Sequence, residues 1–168
     1  MYSEKLIRCL VICTTSLLLY AVTSFATPLK RGDAFPELGS YQLEGTLPER
    51  LQGKVLLVDF WASWCAPCRR SFAVYDALHD KYQEKGLVLI GISVDDDVDM
   101  MQTFLEKNPV SFPVLRDVGQ QLVAQCSIKT MPTLFLIDQQ GVVRFVHNGF
   151  GGEETKEQLI AQIEGLIE

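Results

Sequence analysis

The run from Val55 to Cys68, VLLVDFWASWCAPC, constrains this chain more than any other stretch. Val55-Leu56-Leu57-Val58-Asp59-Phe60 is apolar almost throughout, as a strand buried on both faces must be. Beyond Ala66 the residues Phe72, Tyr75, Leu78 and Tyr82 recur at spacings of three and four, which places them on one inward helix face. A strand therefore delivers the chain to a tight turn, and the turn opens into a helix predicted over 66–84. Cys65 and Cys68 stand three apart at the helix start and can close a small disulfide ring. Cys65 lies where unpaired backbone N–H groups gather, and Pro67 sits in the first turn, where its missing N–H is not needed. Such a place favours a thiolate, the nucleophile of disulfide exchange.

Magnitudes support that reading. A thiol of ordinary pKa about 8.5 is only slightly ionised at neutral pH, and making it half ionised near pH 7 takes about 2 kcal/mol. A helix N-terminus supplies about 0.3–1 kcal/mol, and up to about 2 when partly buried. The helix nearly suffices, with proton sharing from Cys68 making up the remainder. A much lower value would cost nucleophilicity.

The N-terminus has a different character. Lys5 and Arg8 flank an apolar stretch, Cys9 to Val22, of about fourteen residues, and Ser24-Phe25-Ala26 supplies small residues at a cleavage site. Residues 1–26 are thus predicted to be a signal peptide cut after Ala26, leaving one domain over 27–168. A spanning helix needs about twenty apolar residues, so a retained anchor is the alternative reading. Neither Cys9 nor Cys13 follows the small residues of a lipoprotein site. Export would place the chain in the bacterial periplasm or on the outer face of the membrane, where disulfides persist. Residues 1–26 carry a net +1 of the chain's formal −6, which leaves −7 on the remainder. An acidic domain with no basic stripe is a poor nucleic-acid binder and is repelled by anionic lipid heads, so membrane contact is expected only through a retained N-terminal segment.

Along the rest of the chain, the turn-rich stretch Thr27–Gly53 holds two short extended pieces, 35–38 and 41–44, that read as an edge hairpin. Leu87–Val94 reads as a second buried strand, and Asp95-Asp96-Asp97 as caps of a helix over 98–107. A short strand at 112–115 and a helix at 119–126 follow. Thr133–Ile137 and Val142–Val146 alternate around Asp138-Gln139-Gln140-Gly141 and read as a hairpin. A closing helix spans 153–167. Strand–helix alternation ending in a hairpin and a helix implies an α/β fold with a mixed sheet covered on both faces.

These residues carry a resemblance. Val58 to Cys68, with Thr130-Met131-Pro132-Thr133 about sixty residues on, resembles a thioredoxin-like fold. Gly32-Asp33-Ala34-Phe35-Pro36, Gly53-Lys54-Val55, Phe135-Leu136-Ile137-Asp138 and the extra strand–helix insertion between Asp95 and Cys126 are similar to the exported TlpA/ResA type of thiol–disulfide oxidoreductase. The resemblance covers residues 32–168. It implies a thioredoxin-like mixed sheet flanked by helices, with that insertion before a cis-proline and an N-terminal extension. It implies Cys65 as the exposed nucleophile and Cys68 as the buried resolving thiol of a redox-active disulfide. Pro132 matches the cis-proline, and Asp59 the buried acid beneath the pair. Trp64, Met131, Ala66 and Pro67 would meet the substrate. Disulfide-bearing protein substrates, an upstream thiol electron donor, no cofactor and a monomer follow from the same likeness, with net reduction as its direction.

Two departures stand out. TlpA-type chains more often carry Asn where this chain has Asp59, and many carry proline where it has Ala73, so a straighter first helix is expected. The lysine that partners the buried acid in thioredoxin is replaced by Gly91.

Other readings stay open at this point. The protein is a reductase, a disulfide oxidase or an isomerase, or else a copper-carrying or partner-binding domain of the same fold, with Met131 as a soft ligand. Zinc would need two further ligands, and the remaining mature Cys126, His79 and His147 are scattered. Asp59 is either a proton acceptor or a satisfied buried carboxylate. Cys126 reads as a packed small hydrophobe, Trp61 and Trp64 as wall and surface of the site, and the two histidines as solvated or hydrogen-bonded bystanders. Asp95, Asp97, Asp99 and Glu106 match positions 1, 3, 5 and 12 of a calcium loop, but Met100 stands where that loop needs glycine.

Overall fold

The computed structural model describes residues 27–168. The proposed signal segment, with Cys9 and Cys13, lies outside the described residues. Six strands form one sheet: β1 (Leu43–Glu44), β2 (Val55–Trp61), β3 (Leu87–Ser93), β4 (Val114–Asp117), β5 (Thr133–Ile137) and β6 (Val143–Asn148). Their spatial order is β1-β4-β3-β2-β5-β6. The parallel trio β2, β3 and β4 is extended antiparallel by β5 and β6 on one side and β1 on the other. The helices are α1 (Ala66–Tyr82), α2 (Val98–Lys107), α3 (Gln121–Gln125) and α4 (Glu153–Ile167). This is the expected thioredoxin-like mixed sheet, and α2, β4 and α3 form the insertion ahead of the cis-proline.

The two apolar runs occupy the centre of the sheet because no other place removes both their faces from water. Leu57, Val58, Phe60, Leu89, Ile90 and Ile92 are fully buried, each such side chain contributing about 1.5–3 kcal/mol relative to exposure. On one face of the sheet Trp61 packs edge-on to Phe72 of α1 at 4.8 Å and meets Phe104 of α2 at 4.9 Å. On the other, Phe60 and Phe35 both meet Phe135. Helix α1 runs unbroken for 17 residues with Phe72, Tyr75, Leu78 and Tyr82 buried, as its periodicity predicts, and Ala73 leaves it continuous.

The N-terminal hairpin does not form. Its first piece joins one edge of the sheet: Phe35 N–H donates to Gly141 at 2.9 Å, Gly32 N–H to Val143 at 2.8 Å, and Ala34 bridges Val142. Its second piece, β1, joins the opposite edge beside β4. A 3-10 turn at Leu38–Ser40 carries the chain between them. Each piece finds an unpaired strand edge, and neither pairs with the other. Gly45 follows β1 at φ +125°, so close to β4 that a Cβ would lie 2.7 Å from Leu115 Cδ2 and 2.9 Å from the Val114 carbonyl. The short strand begins two residues later than expected, at Val114, and α3 is shorter than 119–126 at both ends.

Candidate active site

Strand β2 ends at Trp61, whose carbonyl accepts a 2.9 Å hydrogen bond from Val94 N–H. The chain then turns through 62–64, with Cys65 N–H donating to the Ala62 carbonyl at 3.0 Å. Cys65 is the N-cap of α1, and its Sγ accepts from Cys68 N–H at 3.2 Å. A sulfur here takes the place of a capping oxygen at the positive end of the helix. Cys65 and Cys68 form a disulfide with Cα atoms 5.3 Å apart. Cys65 keeps 4% of its surface and Cys68 none. The order of exposure is the expected one, but Cys65 is not an open thiol: in the oxidised state its sulfur is folded back against its partner and the helix end.

The Met131–Pro132 peptide is cis. Pairing of Phe60 with Thr133 along antiparallel strands sets Pro132 level with Trp61, at the strand end from which the cysteine turn departs. Pro132 is buried, and its carbonyl accepts from Gly149 N–H at 2.7 Å. Met131 and Trp64 line one depression of about 440 Å³ together with Val94, Gln120, Val123 and Ile128. Trp64 is 66% exposed beside it. Ala66 is exposed and Pro67 half-buried on the first turn of α1, outside that depression.

Asp59, two residues before the end of β2, is fully buried, with neither carboxylate oxygen hydrogen-bonded. Burial holds its carboxyl well above the usual range. The Tyr75 hydroxyl is pushed up too, by burial first and then by the charge of Asp59. It and the Trp61 indole N–H are likewise buried without a partner. Gly91 is the residue opposite Asp59 on β3. Aromatic edges fill the space a side chain would take there, since a Cβ would meet Phe112 Cε2 at 3.2 Å and Trp61 Nε1 at 3.3 Å. Asp59 is therefore not the satisfied buried carboxylate of the alternative reading.

A second buried acid, Asp95, does not cap the helix that its acidic run announces. Asp97 is the cap of α2, accepting from Asp99 N–H at 2.9 Å. Asp95, 4% exposed, instead accepts Ser63 N–H at 2.9 Å, Ser63 Oγ–H at 2.8 Å and Ser93 Oγ–H at 2.8 Å. The sequence signal for this is redundancy, because one acid suffices to cap a helix and three stand in the run. His147 is hydrogen-bonded, as expected, 2.8 Å from Gln162, whereas His79 Nδ1 is buried without a partner. Cys126 is 1% exposed and its thiol is pushed up to about 12 by burial, with Asp117 adding to the shift. Among the described residues no group of three or more His, Cys, Asp or Glu is placed to hold a metal.

The family model of the AhpC/TSA family matches residues 32–146. The chain belongs to this family. Within it, the chain is 35% identical over 130 residues to the thiol-disulfide oxidoreductase ResA of Bacillus cereus, covering 76% of this chain and 73% of that one. It is 30% identical over 123 residues to ResA of Halalkalibacterium halodurans, covering 72% and 70%. A solved structure from Chlorobium tepidum, described as a thiol:disulfide interchange protein DsbE, superposes with a TM-score of 0.76 at 35% identity, covering 83% of this chain and 99% of that one. The TlpA/ResA-type resemblance is thereby supported. With the Cys65–Cys68 disulfide in place, this AhpC/TSA-family chain is a thiol–disulfide oxidoreductase.

Proposed function

We propose that the protein is an exported reductase of protein disulfides that acts as a monomer in the bacterial periplasm or on the outer face of the membrane. The observation that carries the reading is a disulfide built from the N-cap of α1 and a fully buried partner three residues on. In the reduced state, Cys65 thiolate attacks one sulfur of a substrate disulfide. A Cys65–substrate bond forms, the substrate disulfide breaks, and the departing sulfur takes the electron pair as a thiolate. Cys68, deprotonated, then attacks Cys65 Sγ. The mixed disulfide breaks, the substrate leaves with both sulfurs reduced, and the protein is left with the Cys65–Cys68 disulfide. An upstream thiol donor returns the two electrons.

Asp59 in its carboxylate form accepts the Cys68 proton in this scheme, because burial raises the proton affinity of that carboxylate. Pro132 packs beside the disulfide, and Met131 offers backbone groups to an extended substrate. Met131 makes no backbone hydrogen bond to another described residue, which supports that role. Trp64, Ala66 and Pro67 supply the surface around the attacked sulfur. Residues 1–26 direct export, either removed after Ala26 or retained as an anchor. No described helix is long and apolar enough to cross a membrane.

The test is dithiothreitol-driven reduction of insulin by residues 27–168. Turnover by the wild type, and its loss in both Cys65→Ser and Cys68→Ser, is the expected result. An inactive wild type, or an active Cys65→Ser variant, overturns the reading.

A further inference from the structure

The turn between β2 and α1 has few tethers of its own. Residues 62–64 are fastened by the Cys65 N–H to Ala62 bond and by what Ser63 reaches. Ser63 reaches Asp95, 32 residues away, with both of its donors: its N–H lies 2.9 and 3.2 Å from the two carboxylate oxygens, and its hydroxyl 2.8 Å from one of them. The carboxylate is held in turn. Ser93 Oγ–H donates to it at 2.8 Å, and the Asp95 N–H donates back to Ser93 Oγ at 3.1 Å. The loop that carries it is anchored by two side chains from the end of β4 and the turn after it. Arg116 of β4 donates to the Asp96 carbonyl at 3.0 Å, and Gln120 bonds both the Val94 carbonyl at 3.2 Å and Asp96 Oδ1 at 2.9 Å.

We propose that Asp95 is a positioning residue for disulfide exchange, fixing through Ser63 where Trp64 and Cys65 stand relative to the incoming substrate. Trp64 follows Ser63 directly and is 66% exposed, so its backbone sets its place on the rim of the depression it shares with Met131. Cys65 follows next, and attack on a disulfide is sensitive to displacements of about 1 Å. A carboxylate is well suited to hold such a turn, since a charged acceptor makes the strongest of the ordinary hydrogen bonds. Both its oxygens are engaged, which fixes its plane.

This inference rests on the reductase reading, and the experiment separates the two. Insulin reduction is measured for wild type, Asp95→Ala, Asp95→Asn and Asp138→Ala. Asp138 is the control, a buried aspartate that clamps the distal β5–β6 turn in the same way, accepting Gln140 N–H and Val142 N–H at 2.9 Å. Asp95→Ala is expected to lose about tenfold in kcat/KM, Asp95→Asn to recover at least about threefold by keeping one oxygen for Ser63, and Asp138→Ala to lower Tm with kcat/KM within about twofold of wild type. Amide exchange at Ser63 should accelerate in Asp95→Ala alone. Should Asp95→Ala fail to fold, Ser63→Ala, which deletes only the hydroxyl bond, is expected to slow exchange about threefold. An inactive wild type sinks both readings. With an active wild type, this inference alone is overturned by an Asp95→Ala rate within twofold, by Asp138→Ala slowing exchange equally, by Asp95→Asn no faster than Asp95→Ala, or, if that fallback is used, by Ser63→Ala at the wild-type rate.

Discussion

Asp59 on β2 and Asp95 just past the neighbouring β3 are both buried acids, and they are bonded in opposite ways. Asp59 sits within β2, fully buried, with both oxygens unpaired. Asp95 lies just past β3, almost as buried, with both oxygens engaged by Ser63 and Ser93. An unsatisfied buried polar group costs about 1–3 kcal/mol, and more when charged, so each one calls for an explanation. A carboxylate with its donors in place fixes geometry. A carboxyl without them stays near its neutral form and can take up or release a proton. Burial alone does not distinguish a clamp from a proton carrier; the partners do.

The sharpest way to break that contrast is Asp59→Asn. Burial holds the Asp59 carboxyl well above its ordinary 3.8, so the native chain keeps a proton that the unfolded chain releases. From about pH 4 up to the raised native value the native state binds more protons, and stability falls as pH rises through that window; below it the group has no effect. Asp59→Asn should abolish this slope and raise neutral-pH stability by about 1 kcal/mol, a few degrees in Tm. It should also slow release of the mixed disulfide about tenfold or more. A variant that is less stable at neutral pH, with unchanged release, would make Asp59 a clamp like Asp95.

A smaller effect is expected at the rim. Trp64→Ala should raise KM for insulin by about threefold to tenfold, the ~1 kcal/mol of one aromatic contact, with Tm unchanged because the side chain is 66% exposed. A fall in kcat at constant KM would move Trp64 from substrate contact to the chemistry. The smallest effect belongs to Cys126, whose thiol, pushed up to about 12, stays protonated at neutral pH. Cys126→Ala should leave exchange within about twofold and cost about 1 kcal/mol. Iodoacetamide at neutral pH should modify Cys65 of the reduced native protein and spare Cys126.

Periodicity makes the centre of the molecule readable. The apolar runs of β2 and β3 and the 3.6-residue stripe of α1 each have one good burial solution, and that solution brings Cys65 to a helix start. The N-terminal pieces at 35–38 and 41–44 are not readable in the same way, because a short extended segment does not encode which strand edge it will join. They join opposite edges of the sheet. Asp95 is hidden for a related reason. Its partner is 32 residues away, and its neighbours Asp96 and Asp97 offer a local explanation that serves equally well until the fold divides the roles. The isolation of Asp59 is half legible. Gly91 announces the missing lysine, but only the packing of Phe112 and Trp61 shows that aromatic rings take its place.

The central claim is that Cys65, at the N-terminus of α1, ionises readily and attacks first. Its most direct test is the rate of iodoacetamide alkylation of Cys65 as a function of pH in reduced Cys68→Ser protein. The expected midpoint lies below the ordinary thiol value of about 8.5. A midpoint at or above that value would contradict the account.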